Sequence, residues 1–162
     1  MRIFIDTEFS DFKNPLLISI ALVADDGREF YAELPVDQSR CNSFVLDTVL
    51  PLLGQEPAAR CTPEELASRM VSWLLPYENQ NPTLCYDFAG DWFLFSKALS
   101  YKVPIWLTPQ NIYQQIDPLA CETYLQANRL PQHHALYDAR ANQHAFNPHY
   151  LRIDPLTYPK SR

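Results

Sequence analysis

Residues 16–24 form an almost wholly apolar run, LLISIALVA, which is typical of a central β-strand. The next four residues, Asp25-Asp26-Gly27-Arg28, have the composition of a tight hairpin turn. Residues 29–34 (EFYAEL) then alternate as expected for a strand at the margin of a sheet. Together with a strand over residues 2–8, these segments predict an antiparallel meander of three strands.

The first of these strands carries two carboxylates. Ile3, Phe4 and Ile5 favour a buried pleated surface, and side chains in a strand alternate between its two faces. Asp6 and Glu8 therefore project from the same face. Carboxylates in such a position are costly unless they are paired or bind a metal, and a hard divalent cation is the simplest compensation. The alternative is a strand that ends in an exposed acidic turn.

Helical and strand patterns alternate after the meander. Thr62-Pro63-Glu64-Glu65 is a helix start with a Thr cap, and the apolar stripe behind it predicts a helix up to Pro76. Further patterns predict helices over residues 43–53, 92–99, 109–116, 119–128 and 136–146, strands over residues 83–86 and 105–107, and an irregular tail after Pro148. This order predicts an α/β fold with one mixed five-stranded sheet, an antiparallel meander followed by parallel crossovers, and helices on both faces.

Length and composition predict a single domain. The 162 residues suit one core, which we place at residues 1–147, with an irregular tail at residues 148–162. There is no apolar run of membrane-spanning length and no signal pattern at the N-terminus, so we expect no membrane association. The four cysteines (Cys41, Cys61, Cys85, Cys121) are widely spaced, which predicts reduced thiols and a cytoplasmic location.

The charge balance limits the kind of partner. Thirteen basic and nineteen acidic side chains give a net charge of −6, which argues against a broad basic surface that clamps duplex nucleic acid. A small pocket for one nucleotide end remains compatible with this charge, because bound cations would supply the local positive charge.

A second informative stretch is HHALYDAR, residues 133–140. Asp138 falls in the first turn of the last predicted helix, where the helix dipole tolerates an anion. His133 lies five residues earlier on the preceding loop, where it could take a proton from a water beside Asp138. The alternative is an ordinary helix-start acid and a surface histidine.

A third stretch, Asp87-Phe88-Ala89-Gly90-Asp91-Trp92, joins a strand to a helix. Asp91 is at the N-terminus of the helix, where an N-cap is the alternative role. Asp87 is at the carboxyl end of the strand, where sites in α/β sheets gather. Either acid could join Asp6, Glu8 and Asp138.

These three stretches occur in an order that resembles a known family. From Asp6 to about Phe146, the Asp-x-Glu, mid-chain Asp and His-x-x-x-x-Asp motifs are similar to those of the DEDD exonucleases, in the histidine-containing (DEDDh) branch, on a ribonuclease H-like fold. The opening DTEFSD…LLISIALV…DGREFYAEL resembles small bacterial 3′–5′ exoribonucleases related to the mycobacterial polyadenylate-specific 3′-exoribonuclease.

The resemblance implies a two-metal mechanism with Mg²⁺ or Mn²⁺. Asp6, Glu8 and Asp138 would hold one cation, and Asp6 with Asp91 would hold the second; Asp87 is the alternative middle acid. His133 would be the general base, the substrate the 3′ end of single-stranded RNA, and the product a nucleoside 5′-monophosphate. His134 is the alternative base, one residue out of the family spacing.

Three aromatic residues next to the acids are candidates for stacking on terminal bases: Phe9, Phe12 and Trp92. A place in the core is an equal expectation for Trp92. The basic residues nearest the motifs, which could meet phosphates, are Lys13, Lys97, Arg129 and Arg140.

Other functions stay open at this point. A DNA-directed 3′–5′ exonuclease would use the same residues, and a non-catalytic nucleic-acid-binding module could keep the same fold. A zinc site of His133, His134, Asp138 and His144 lacks the usual close ligand spacing. A homodimer is expected from the resemblance alone.

Overall fold

A computed structural model describes residues 1–152. Its strands are β1 (Arg2–Phe9), β2 (Leu17–Ala24), β3 (Glu29–Glu33), β4 (Thr83–Tyr86) and β5 (Thr108–Asn111). They form one sheet in the order β3-β2-β1-β4-β5, in which β1, β2 and β3 pair antiparallel and β4 and β5 pair parallel. The predicted mixed five-stranded α/β sheet is confirmed, and it is consistent with a ribonuclease H-like fold.

Helices pack on both faces of this sheet, as predicted. The helices are α1 (Pro63–Leu74), α2 (Ala89–Ala98), α3 (Pro118–Asn128) and α4 (Ala135–Ala145). On one face Ile3 and Ile5 join a core with Met70 of α1 and Phe95 of α2. On the other face, Phe4 packs in a cluster with Ala145 of α4. The alternation of β1 thus serves two cores, because every second side chain enters a different layer.

The start of α1 follows its sequence signal. The Thr62 hydroxyl accepts the Glu65 backbone N–H at 3.3 Å, and the Glu65 carboxylate accepts the Thr62 N–H at 2.8 Å. This reciprocal capping box satisfies two donors that the first helical turn leaves open. The helix ends at Leu74 and continues as a 3₁₀-helix over Leu75–Gln80.

Two predictions between α2 and α3 are wrong. Residues 105–107 form a turn closed by the Leu107 N–H to the Pro104 carbonyl, with Ile105 fully exposed. The fifth strand follows at Thr108–Asn111, and the helix predicted over residues 109–116 is reduced to a 3₁₀ turn at Tyr113–Gln115. All four β5 side chains are exposed, so this edge strand has no apolar alternation by which to recognise it, and an edge position tolerates its proline.

Two helices differ in detail from the prediction. The segment over residues 43–53 is helical, but it is wound as a π-helix at Val45–Val49 and a 3₁₀-helix at Leu50–Leu52. Helix α2 begins at Ala89, three residues before the predicted start, and therefore Asp91 lies inside its first turn and does not cap it.

None of the helices in residues 1–152 has the length and apolar character needed to cross a membrane. All four cysteines are free thiols, with Cys61 and Cys85 buried. Of the predicted tail, residues 148–152 are irregular, and residues 153–162 lie outside the described residues.

Candidate active site

The parallel register of β1 and β4 brings two acids together. Phe4 lies opposite Cys85 in this ladder, so two residues further on Asp87 follows β4 beside Asp6. Both carboxylates then project from the same face as Phe4 and Cys85, because neighbours in register share a face. Asp87 is also oriented by Asn142 of α4, whose Nδ2 donates to Asp87 Oδ1 at 3.1 Å.

Helix α2 supplies a third acid from the opposite side of the sheet. Asp91 is 2% exposed, and its Oδ1 accepts a hydrogen bond from the Thr7 hydroxyl at 2.6 Å. Its other oxygen, Oδ2, is buried and has no hydrogen-bond partner among the described residues. A buried carboxylate oxygen without a donor is costly, and a cation at this point would satisfy it.

The loop before α4 positions the histidine. His133 has a φ of 65°, a left-handed conformation that few residues other than glycine adopt. Its backbone N–H donates to Asp138 Oδ2 at 2.8 Å, so the loop closes back on the first turn of α4. The imidazole of His133 lies beside the same carboxylate.

Two groups of potential ligands result. Glu8, His133 and Asp138 bring ligand atoms within 4.8 Å of one another, and Asp6, Asp87 and Asp91 do the same. The structure thus assembles all the acids named from the sequence together with His133. It also brings both candidate middle acids, Asp87 and Asp91, to the same point, and it places the His133 ring within reach of a cation at the first group.

Burial and mutual repulsion raise the pKa values of these acids. Burial, with Asp91, Asp138 and Glu8 close by, raises the pKa of Asp6 well above its usual value. Burial and Asp138 raise the pKa of Glu8 to about 8. Burial likewise raises the pKa of Asp91 to about 7, that of Asp138 to about 6, and that of Asp87 above its usual value. Near neutral pH, several of these carboxyls therefore hold protons unless a cation displaces them.

These features fit divalent metals. The donors are carboxylate oxygens with one imidazole, which suits Mg²⁺ or Mn²⁺. Cations in the two groups would compensate the cost of ionising these buried acids, and they would also give the Asp91 Oδ2 atom a partner.

An aromatic cleft of about 590 Å³ opens beside the acids. One wall holds Phe9, Phe12 and Phe88, with the Phe9 and Phe12 ring centroids 5.3 Å apart and the Phe9 and Phe88 rings stacked at 6.0 Å. A bulge between Glu8 and Phe9 turns the strand there. Phe44, at the start of the π-helical segment, also lines the cleft and contacts the His133 ring edge-on at 4.9 Å.

A second, more polar cleft of about 290 Å³ shares Asp6, Asp87, His133 and Asp138 with the first. Arg152 lines this cleft and is the one lysine or arginine among the described residues that line either cleft. Its other lining side chains are Gln132, Asn142, Cys121, Ile116, Pro118, Leu125 and Ala141.

Some residues named from the sequence lie away from these clefts. Trp92 stacks between Tyr86 and Phe95, with centroids 6.2 and 5.9 Å away, and packs against the core. His134 is 3% exposed and lies between the rings of Tyr31 and Tyr137.

The zinc alternative is not assembled in the described chain. His134 is buried away from the acids, and His144 is on the outside of α4 against Tyr124, so neither joins His133 and Asp138 in a ligand group of the described residues.

None of the four basic residues named from the sequence lines either cleft in the described structure. Arg140 pairs with Glu29 at 2.6 Å, and Lys97 lies over the ring of Phe93. Lys13 and Arg129 are exposed.

Sequence reasoning missed four residues around the acids: Phe44, Phe88, Asn142 and Arg152. Asn142 had a signal, because it lies one helical turn beyond Asp138 and so on the same face of α4. The others had none, since their positions depend on tertiary packing.

Comparison with known proteins gives a partial match. Two curated relatives, each named as a 3′–5′ exoribonuclease and each from a strain of Mycobacterium tuberculosis, are 49% identical to this chain over 55 residues. The matched region is 33% of this chain and 33% of each relative, so the similarity spans a third of the length of these proteins. No family model matches the chain.

The raised pKa values predict how metal stabilises the fold. Between about pH 4 and pH 8 the folded acids bind more protons than the unfolded ones, so the metal-free protein loses stability as pH rises. Metal displaces these protons, and its benefit therefore grows with pH. A fixed Mn²⁺ concentration, 100 times the Kd at pH 8, should raise the Tm by about 5–10 °C at pH 8 and by less at pH 6, where the Kd is larger. Melting curves of chelator-stripped protein at both pH values check this, and an absent or pH-independent shift would count against the site.

Proposed function

We propose that this chain is a metal-dependent 3′–5′ exoribonuclease of the DEDDh branch on a ribonuclease H-like fold. The observation that carries the proposal is the convergence of five carboxylates and His133 beside an aromatic cleft. The partial similarity to proteins named 3′–5′ exoribonuclease supports the same activity.

The acids would bind two cations, Mg²⁺ or Mn²⁺. Glu8 and Asp138, together with Asp6, would hold one of them. Asp6 would hold the second with Asp91, and Asp87 would contribute directly or through water. When bound, such cations stabilise the charge that develops on the phosphoryl oxygens and lower the pKa of the attacking water.

His133 would act as the general base. Its imidazole lies in the same group as Glu8 and Asp138 and lines both clefts, so a water between the clefts is within its reach. An imidazole exchanges protons near neutral pH, and it would accept the proton that the attacking water loses. The left-handed backbone and the N–H bond to Asp138 position the main chain of His133, and Phe44 packs edge-on against its ring.

The aromatic cleft would hold the 3′-terminal bases. Phe12 is 77% exposed, Phe88 46% and Phe44 50%, so these rings present faces or edges to the opening without being needed in the core. Base stacking on aromatic rings tolerates any sequence, and it requires unpaired bases. The substrate would therefore be the 3′ end of single-stranded RNA, and the product a nucleoside 5′-monophosphate.

Truncation of the aromatic wall tests this role. Phe12→Ala should lower kcat/KM for a single-stranded oligonucleotide by about fivefold or more, because stacking contributes about 1–3 kcal/mol per base. Phe93→Ala is the control, since Phe93 is also an exposed phenylalanine but lines neither cleft. Steady-state kinetics of both variants test this prediction. Equal kcat/KM values for Phe12→Ala and Phe93→Ala would contradict a role for Phe12 in substrate binding.

A DNA-directed 3′–5′ exonuclease is the second candidate, and the same acids would serve it. Proteins distinguish RNA by contacts to the 2′-OH. Digestion of matched RNA and DNA oligomers of the same sequence separates the two candidates: faster DNA cleavage would replace the RNA assignment.

The remaining expectations follow from the resemblance and the composition. We propose that residues 1–162 form a single exonuclease domain with its core at residues 1–147, that the protein acts in the cytoplasm, and that it forms a homodimer. Sedimentation of the purified chain would test the oligomeric state.

A further inference from the structure

The described residues of the two clefts differ in charge. No lysine or arginine among them lines the aromatic cleft, whereas Arg152 lines the second cleft, which reaches three of the five acids, Asp6, Asp87 and Asp138. A negatively charged phosphate that approaches five carboxylates is repelled except where positive charge faces it. Among the described residues that line the two clefts, Arg152 supplies such a charge.

Several contacts hold this arginine in place. Its guanidinium carbon lies 4.2 Å from the centroid of the Tyr113 ring, which is a stacking distance. Its backbone N–H donates to the Gln114 carbonyl at 3.0 Å, and the Asn147 N–H donates to the Gln115 carbonyl at 2.9 Å. The chain after α4 is therefore hydrogen-bonded to residues 114 and 115 and stacked on Tyr113. These contacts hold the guanidinium at the cleft.

We propose that Arg152 binds the phosphate group at which cleavage occurs, and that the second cleft is the anion-binding side of the active site. This inference rests on the proposed nuclease function. A guanidinium stays charged at all relevant pH values and offers paired N–H donors that match two phosphate oxygens. The bases would lie in the aromatic cleft, and the phosphate would lie between the acids and Arg152.

The division of the site fits the chemistry of a nucleotide. The larger cleft of about 590 Å³ has aromatic walls, and the smaller one of about 290 Å³ has an arginine, an asparagine and a glutamine. The Asn142 amide donates to Asp87 at 3.1 Å, and Arg152 is the one lysine or arginine among the described residues that line this cleft.

The test is the kinetics of Arg152→Ala on a single-stranded RNA oligomer with saturating Mn²⁺. We expect kcat/KM to fall on the order of 10- to 100-fold, as for loss of a charge-assisted hydrogen bond. Arg152→Lys should be intermediate, because it keeps the charge without the paired donors. Inhibition by inorganic phosphate should weaken in the same order, while the Tm shift produced by Mn²⁺ stays unchanged.

Lys102→Ala is the matched control, because it removes one positive charge from an exposed position outside both clefts. The inference fails if Arg152→Ala stays within twofold of this control while the wild type degrades RNA. A wild type that degrades no RNA would instead contradict the proposed function. If Arg152→Ala does not melt cooperatively, the kcat/KM values of Arg152→Gln and Arg152→Lys are compared with the control instead. Both substitutions keep a long side-chain stem over Tyr113.

Discussion

Asp6→Asn should lower nuclease turnover by at least ~10³-fold while the fold remains intact. Asp6 is the one acid that both proposed cations would share, so its loss damages both positions. The substitution also removes a carboxyl whose pKa is raised by burial and by its acidic neighbours. The Tm of the metal-free variant should therefore hold or rise by a few degrees, because repulsion among the acids is relieved.

Two measurements separate this prediction from a simple loss of folding: melting without metal and turnover with saturating Mn²⁺. Asp47→Asn is the matched control, since Asp47 is an exposed acid that lines neither cleft. Near-normal turnover in Asp6→Asn would overturn the metal assignment, and a large drop in the Tm would show that Asp6 has a structural role.

His133→Ala should reduce kcat by about 10²–10⁴-fold, the usual effect of removing a positioned general base. His133→Asn is the better-matched variant, because asparagine adopts a positive φ more readily than alanine does.

The Tm shift caused by Mn²⁺ tells whether His133 is a base or a ligand. A base leaves the shift unchanged, whereas a ligand in the group with Glu8 and Asp138 would diminish it when removed. His149→Ala, at an exposed position, is the control. His134→Ala should affect chemistry much less, because its ring is buried between Tyr31 and Tyr137; a dead His134→Ala beside an active His133→Ala would contradict the assignment.

The parts of the fold predicted from sequence are those with local signals. The apolar run of residues 16–24, the turn at Gly27 and the capping box at Thr62 each specify an element by their own chemistry, and the structure has each one. The strand predicted over residues 105–107 is wrong because the apolar triplet there lies in a turn that sends Trp106 to the core and leaves Ile105 in solvent. Pairing with β4, a tertiary contact, creates β5 from the polar residues after it.

The parts of the candidate site that the sequence predicted also have local signals. Alternation along a strand was enough to place Asp6 and Glu8 on one face. The helical pattern after residue 135 was enough to place Asp138 in the first turn of a helix. The choice between Asp87 and Asp91 could not be made from sequence, because it depends on where α2 begins and how β4 aligns with β1. The structure brings ligand atoms of both acids within 4.8 Å of Asp6, and the choice of Asp91 as the middle acid stays a prediction.

The proposed activity is metal-dependent removal of nucleotides from the 3′ end of single-stranded RNA. Its most direct test is a time course with a 5′-labelled RNA oligomer in Mn²⁺ or in EDTA, with the released product identified by mass. We predict a ladder that shortens one nucleotide at a time and nucleoside 5′-monophosphate in Mn²⁺, with intact RNA in EDTA. Intact RNA in Mn²⁺, a labelled mononucleotide as the first product, or undiminished cleavage in EDTA would contradict the account.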